Sequence, residues 1–116
     1  MKLIIAGSRN FTDYQKLKTE CSQFLQEHKN IEIVSGGHYK GADRLGIQYA
    51  KEKGFNLIKF PAEWNKLGKA AGPIRNKEMA NYADALIVFW DGKSSGTKNM
   101  IQLAKQKGII IKIIHF

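Results

Sequence analysis

The segment SGGHYKGADR, residues 35–44, joins an apolar run at residues 31–34 to a run whose apolar residues have helical spacing. Its three glycines lack the side chains that would keep an anion away from backbone N–H groups. A helix beginning near Ala42 would add the positive end of its dipole. The segment therefore predicts a strand, a phosphate-holding loop and a helix, and the plainer alternative for the loop is an ordinary strand-to-helix turn.

Two other apolar runs end in the same way. Gly7-Ser8-Arg9 follows the run at residues 3–6, and Ser95-Gly96-Thr97 lies shortly after the run at residues 85–90. Parallel strands deliver their carboxyl ends to one edge of a sheet, and ligands bind there, at the crevice where the strand order reverses. We therefore expect the three loops to line one crevice that holds a small anionic ligand.

The rest of the chain continues the alternation of strand and helix. Strands are predicted at residues 2–6, 31–34, 56–60, 85–90 and 109–114, and helices at residues 13–29, 42–53, 73–82 and 96–106. A longer loop is predicted at residues 61–72. Such alternation implies right-handed crossovers and helices on both faces of the sheet. The expected fold class is α/β, a three-layer Rossmann-like sandwich with a five-stranded parallel sheet.

Composition is consistent with a single domain over residues 1–116. The hydrophobic content of 43% is enough for a core without disulfides or metals, and the lone Cys21 has no internal partner. The apolar stretches are far shorter than the ~20 residues of a membrane span, and the first six residues resemble a strand more than a signal peptide. We therefore expect a cytoplasmic protein with no membrane partner.

Six short motifs stand at the predicted strand ends and loops: Gly7-Ser8-Arg9, Gly37 to Asp43, Pro61-Ala62-Glu63-Trp64, Gly72-Pro73-Ile74-Arg75-Asn76, Asp91-Gly92 and Ser95-Gly96-Thr97. In this order, and over essentially the whole chain, they resemble the SLOG superfamily, specifically its YspA-like, circularly-permuted-YpsA-related group. That superfamily includes DNA processing protein A and the Lonely Guy phosphoribohydrolases. The resemblance implies a Rossmann-like fold that binds nucleotides or nucleotide-like ligands at the loop edge, and a homo-oligomer, dimeric or higher.

Small residues of the loops are expected to give the ligand backbone N–H and hydroxyl donors. They are Gly7, Ser8, Ser35, Gly36, Gly37, Gly41, Ala42, Ser95, Gly96 and Thr97. Arg9 and Arg75 are candidate clamps, because a guanidinium binds phosphate or carboxylate in bidentate fashion. The alternative for each arginine is a solvated surface charge or a structural salt bridge.

Four further residues are candidates for the site. Asp43 would bond a ribose hydroxyl or order one of the two arginines, or would instead favour the helix N-terminus. Trp64 would stack on a base or cover the sheet edge as a lid. Asn76 offers a donor and an acceptor to a base or ribose, with solvation of its helix as the alternative. Asp91 would contact the ligand or make a turn with the glycine that follows it.

The sequence leaves catalysis open. The Lonely Guy pattern is Gly-Thr-x-x-Glu, and the position of its glutamate is Met100 here, which can neither take a proton nor stabilise an oxocarbenium ion. Glu63 and Glu78 lie near the predicted edge without the spacing of an acid/base pair. No metal-ligand spacing is found among the three histidines. The catalytic residues therefore stay unknown, and we predict no metal and no cofactor.

Charge supports a second class of partner. Nineteen Lys and Arg against ten acids give a net charge of +9, which suits binding to nucleic-acid phosphates. Basic residues near the predicted loop edge could serve a nucleotide or a DNA strand: Arg9, Lys40, Arg44, Lys69, Arg75, Lys93 and Lys98. We predict a protein that binds a nucleotide or nucleotide-derived small molecule as a sensor, carrier or sequestering protein. The alternatives are a phosphoribohydrolase-like enzyme and a single-stranded nucleic-acid-binding module.

Overall fold

A computed structural model, which describes residues 1–116, contains one sheet of five parallel strands. In chain order the strands are β1 (Lys2–Gly7), β2 (Glu32–Ser35), β3 (Asn56–Lys59), β4 (Ala85–Trp90) and β5 (Ile110–His115). Their order across the sheet is β3-β2-β1-β4-β5. The chain therefore builds outward from β1 in one direction, returns, and builds outward in the other, so that the strand order reverses between β1 and β4.

Helices cover both faces of the sheet. In chain order they are α1 (Tyr14–Leu25), α2 (Gly41–Lys53), α3 (Trp64–Leu67), α4 (Ala71–Tyr82) and α5 (Ser95–Lys107). Helices α1 and α2 pack on one face, around Leu3 and Ile5, whereas α4 and α5 pack on the other, around Ile4 and Ala6. The predicted fold class, a three-layer α/β sandwich with a five-stranded parallel sheet, is confirmed.

The predicted loop at residues 61–72 is the main correction to the element boundaries. It contains α3, a 3-10 turn at Gly68–Ala70 and the first two residues of α4. A helix of four residues is too short to show an apolar period in sequence, so nothing distinguished it from a loop. Helix α1 ends at Leu25, four residues earlier than predicted, and most other ends differ by only one or two residues.

The helix ends follow local chemistry. Asp13 caps α1, because its carboxylate accepts the Lys16 N–H at 3.1 Å. Gly54 and Gly108 end α2 and α5 in the left-handed conformation, with φ of 72° and 80°. None of the helices is both long and apolar enough to cross a membrane.

Two glycines bring the start of α2 close to β1. A Cβ on Gly46 would lie 2.8 Å from the Ile5 Cγ2, so glycine at this position lets the helix pack directly on the strand. Gly41 has φ of 69°, and a Cβ there would overlap the Ser8 carbonyl oxygen. The N-terminal turn of α2 is thus held against the end of β1, at the edge where the strand order reverses.

Candidate functional site

A cleft of about 680 Å³ opens at the carboxyl ends of β1 and β4. Its volume lies within the range of ligand sites in proteins, ~300–1,000 Å³. Nine of the predicted site residues line it: Gly7, Arg9, Asp43, Trp64, Arg75, Asn76, Ser95, Gly96 and Thr97. Seven predicted residues lie outside its lining: Ser8, Ser35, Gly36, Gly37, Gly41, Ala42 and Asp91. The cleft therefore gathers residues of β1, α2, α4 and α5 that are far apart in sequence.

The lining of the cleft is strongly cationic. Arg9, Lys40, Lys69 and Arg75 contribute four positive side chains, whereas Asp43 is the only carboxylate. A cleft lined by one sign of charge focuses the field and raises the local concentration of counter-ions. The electrostatics therefore favour an anionic ligand.

The N-terminus of α5 is open to such a ligand. The N–H groups of Ser95, Gly96 and Thr97 have no acceptor within the chain, and all three residues line the cleft. The hydroxyls of Ser94 and Thr97 bond each other at 3.1 Å instead of capping a backbone N–H. Free N–H groups at the positive end of a helix dipole bind anions well.

Asp91 shapes the β4–α5 loop (residues 91–94) that leads into this helix. Its carboxylate accepts the N–H groups of Lys93 and Ser94, each at 2.8 Å. Hydrogen bonds from Ser94 and Lys93 lower the pKa of the Asp91 carboxyl below its ordinary value. Asp91 therefore forms a turn, which was one of its two predicted roles. It orients the loop and does not line the cleft.

The β2–α2 loop (residues 36–40), the first candidate for a phosphate loop, likewise uses several of its N–H groups within the chain. N–H groups of this loop and the following helix donate within the chain: Gly37 to Ser35 Oγ, His38 to Asp43 Oδ2 and Lys40 to His38 Nδ1, each at 3.1 Å, and Ala42 to the Ser8 carbonyl at 3.3 Å. These donors are unavailable to a phosphate in this conformation. The loop contributes side chains to the cleft instead, namely those of His38, Lys40 and the following Asp43.

Ser8 joins the two strands at the point of reversal. Its N–H donates to the Phe89 carbonyl at 2.9 Å, and its Oγ accepts the Asp91 N–H at 3.2 Å. The residue is only 1% exposed. Ser8 therefore holds β1 and β4 together beneath the cleft.

Arg75 and Asn76 connect the two loops through α4. The Arg75 Nη1 donates to the Gly36 carbonyl at 2.8 Å, and its Nε donates to the Asn76 Oδ1 at 2.9 Å. The buried Asn76 Nδ2 donates to the Asn99 Oδ1 at 3.0 Å and to the Gly96 carbonyl at 3.3 Å. All polar atoms of the Asn76 side chain are thus engaged, whereas the Arg75 Nη2 remains free to donate to a ligand.

Asp43 lies under Arg75 with one carboxylate oxygen in use. Burial raises the pKa of the Asp43 carboxyl, and the His38 N–H and the charge of Arg75 oppose the rise. Burial likewise lowers the pKa of the Arg75 guanidinium. The Oδ1 of Asp43 has no hydrogen-bond partner and is not fully buried. It can accept a hydroxyl of a ligand bound in the cleft.

Trp64 forms the rim of the cleft at α3. It is 52% exposed, and a Cβ on Gly72 would lie 3.3 Å from its Cη2. Glycine at the start of α4 therefore lets the indole lie across the helix end. The ring is available both to stack on a base and to cover the sheet edge.

Other lining residues carried little signal in the sequence. Ser94, Asn99 and His38 all line the cleft. His38 was set aside for lack of metal-ligand spacing, and no group of three or more potential metal ligands forms in the structure. Asn99 contacts Asn76 from 23 residues away, which no local pattern reveals. For Ser94 the usable signal was its position next to Ser95-Gly96-Thr97 at a predicted helix start.

The carboxylates give no acid/base pair in the cleft. Neither Glu63 nor Glu78 lines it, and Glu63 faces Lys66 at 4.0 Å on the surface. Met100 is 2% exposed and lines the cleft at the position of the Lonely Guy glutamate. Asp43 is therefore the one group there that can exchange a proton as a carboxyl.

Known proteins resemble this chain both in sequence and in fold. A family model described as the YspA, cpYpsA-related SLOG family matches residues 1–67. The Gene 61 protein of Mycobacterium phage D29 is 31% identical in an alignment of 114 positions that covers 93% of this chain and 91% of that protein.

Two solved structures share the fold. DNA processing protein A of Streptococcus pneumoniae matches with a TM-score of 0.76 and 20% identity, over 97% of this chain and 49% of that one. The molybdenum cofactor binding protein of the phototrophic bacterium Rippkaea orientalis matches with a TM-score of 0.74 and 16% identity, over 99% of this chain and 76% of that one. This chain thus spans about half the length of the pneumococcal protein, and at these identities the likeness concerns the fold.

Proposed function

The chain belongs to the YspA, cpYpsA-related SLOG family, and from that membership and the cleft we propose that it binds a nucleotide or nucleotide-derived small molecule. It acts as a sensor, carrier or sequestering protein. One observation carries the proposal: a cleft of about 680 Å³ at the reversal of strand order is lined by four cationic side chains and one carboxylate. Sites at this position are the general rule in open α/β sheets.

The phosphates of the ligand bind at the N-terminus of α5. Free N–H groups of Ser95, Gly96 and Thr97 meet the anion there, and the Arg75 Nη2 supplies a charge-assisted donor. Arg9, Lys40 and Lys69 neutralise further negative charge. The arrangement suits a ligand with one or several phosphates.

The nucleoside part of the ligand is recognised by the two remaining features. A ribose hydroxyl donates to the free Oδ1 of Asp43, and the base stacks on the exposed ring of Trp64. The molybdenum cofactor binding protein has the same fold, and its name is that of a protein that binds a cofactor. This supports the proposal that the present chain binds a ligand.

Isothermal titration calorimetry with nucleoside mono- and diphosphates, ADP-ribose-type compounds and cyclic nucleotides tests the proposal, with mass spectrometry of the same mixtures. We expect saturable binding and recovery of intact ligand. Arg75→Ala should weaken binding by about 1.5–3 kcal/mol, because it removes a charged donor. Lys105→Ala is the matched control, since it removes one positive charge from the exposed last turn of α5, away from the cleft. Equal losses of affinity in the two variants would mean that Arg75 acts only through the overall charge of the protein.

Exposed aromatic rings beside the cations favour nucleic acid as the second candidate. Tyr39 is 71% exposed and Trp64 52%, and binding to single strands combines such rings with a positive groove. No nucleotide binding together with salt-sensitive binding of an oligodeoxynucleotide would replace the small-molecule proposal by this one. A cleaved glycosidic bond in the mass spectra would instead identify an enzyme.

A further inference from the structure

The two edge strands of the sheet differ in kind. Edge strand β3 has four residues, two of which, Asn56 and Lys59, are polar and exposed. Edge strand β5 has six residues, and Lys112 and His115 are the only ones that are not isoleucine. Natural edges are short and charged, whereas a nearly continuous isoleucine run is typical of a strand buried within a parallel sheet. Strand β5 therefore has the sequence of a central strand at the position of an edge.

The backbone of β5 has one unused row of hydrogen-bonding groups. The Ile110 N–H donates to the Asp84 carbonyl at 3.4 Å, and the Phe116 N–H donates to the Trp90 carbonyl at 3.3 Å. Successive residues of a strand turn these groups to alternate sides. The N–H and C=O groups of Ile111, Ile113 and His115 therefore point away from β4, toward the open edge.

The one charged side chain that would guard this edge is neutralised by its own chain. The Lys112 Nζ lies 2.8 Å from the Glu20 Oε2 on α1. The chain as a whole carries a net charge of +9, so two copies repel each other overall. The β5 edge is a place where two copies can approach without bringing unpaired lysines together.

We propose that two copies of this chain pair through β5, antiparallel about a twofold axis at Ile113, to form one continuous ten-stranded sheet. In this register Ile113 faces its own counterpart and Ile111 faces His115, and each pair exchanges two N–H···O bonds.

The same register pairs the exposed apolar side chains at the ends of β5. Ile110 of one copy stands opposite Phe116 of the other, and these side chains are 57% and 46% exposed in the isolated chain. Lys112 stands opposite Ile114, so the two lysines do not meet. One patch thus serves both copies, as a twofold interface requires. The pairing leaves the cleft at β1 and β4 open, so it does not depend on the ligand proposal.

Sedimentation equilibrium of the whole chain, over about a hundredfold range of concentration, tests the pairing. We expect a dimer that dissociates on dilution. Ile110→Lys should raise the dissociation constant at least about tenfold, because it sets a charge opposite Phe116. Asn56→Lys, which adds the same charge to the exposed β3 edge, should leave it unchanged. A monomer at every concentration, or a dimer that both variants weaken equally, would overturn the proposal.

Hydrogen exchange of the backbone amides tests the pairing independently and needs no variant. The amides of Ile111, Ile113 and His115 should become protected as concentration rises, whereas β3 amides on its outer edge should not. Ile113→Pro removes the central donor and should abolish the dimer. Circular dichroism shows whether that variant folds, and Ile110→Lys decides the matter if it does not. Protection that is independent of concentration would contradict the pairing.

Discussion

The β2–α2 and β4–α5 loops look alike in sequence, but the helices that follow them differ in their first turn. Each loop follows a buried strand, contains glycine near a helix start and leads into a helix of 13 residues. The Ala42 N–H of α2 donates to the Ser8 carbonyl, whereas the first three N–H groups of α5 have no acceptor.

Within the loops the backbone behaves alike. The N–H groups of Gly37, His38 and Lys40 in the first loop donate within the chain. Those of Asp91, Lys93 and Ser94 in the second loop do so as well. At the start of α5, beyond the second, the N–H groups of Ser95, Gly96 and Thr97 remain free. Glycine before a helix therefore does not identify an anion site until the partners of its neighbours are known.

The packing around the glycines explains the difference. A Cβ on Gly36 would lie 2.9 Å from the Asp43 Oδ2 and would overlap the Arg75 guanidinium. A Cβ on Gly41 would overlap the Ser8 carbonyl, whereas a Cβ on Gly96 would meet nothing within 4 Å. Glycine in the first loop thus allows close contact within the protein. Glycine at α5 leaves room for a ligand.

The largest expected effect separates these two kinds of glycine by stability. Gly41→Ala should lower the free energy of unfolding by about 2–4 kcal/mol, because it adds a Cβ at φ of 69° against the Ser8 carbonyl. Gly96→Ala is the matched variant at α5 and should raise it by up to about 1 kcal/mol, since alanine favours helix and the space is open. Urea unfolding measures both. Equal changes in the free energy of unfolding would mean that Gly41 and Gly96 are packed alike, which would contradict the comparison.

The sequence predicted the fold because the apolar runs and their spacing are local. It also predicted that three loops would meet at one edge, since parallel strands require it. It could not predict which helix start keeps all of its first N–H groups free, because the bond from the Ala42 N–H to the Ser8 carbonyl joins two elements distant in sequence. The Asn76 contact with Asn99 was hidden for the same reason. That these residues bind a ligand stays a prediction.

The second prediction concerns the free donors themselves. Ser95→Pro removes one N–H at the first position of α5, where proline suits a helix, and Ser94 already has the extended ψ of 118° that a following proline requires. Affinity for a phosphate-bearing ligand should fall by about 1.5–3 kcal/mol if that N–H meets the charge, while stability stays near that of the parent. Ser95→Ala keeps the N–H and should bind almost as well as the parent. Calorimetry with the best ligand of the panel compares the two variants. Unchanged binding in Ser95→Pro would remove this donor from the site.

The smallest expected effect is a pair of opposed pH dependences, one from each part of the molecule. Burial raises the pKa of Asp43, so the folded chain holds that proton more tightly than the unfolded chain. Its contribution to the free energy of unfolding should therefore fall as pH rises from the ordinary aspartate range to the raised pKa. Hydrogen bonds lower the pKa of Asp91, so its contribution is present above the ordinary range and is lost as pH falls below it.

Asparagine variants isolate the two carboxyls, because subtracting the parent profile cancels the titration of every other group. Asn at position 43 can still accept the His38 N–H, so Asp43→Asn should remove the fall in stability above the ordinary aspartate range. Asp91→Asn should lose stability relative to the parent at neutral pH and approach it in acid. Urea unfolding from roughly pH 3 to pH 8 gives both difference profiles. If the two profiles had the same sign, Asp43 would be a hydrogen-bonded surface acid like Asp91. The β2–α2 loop would then be no more closely packed around its carboxylate than the β4–α5 loop is.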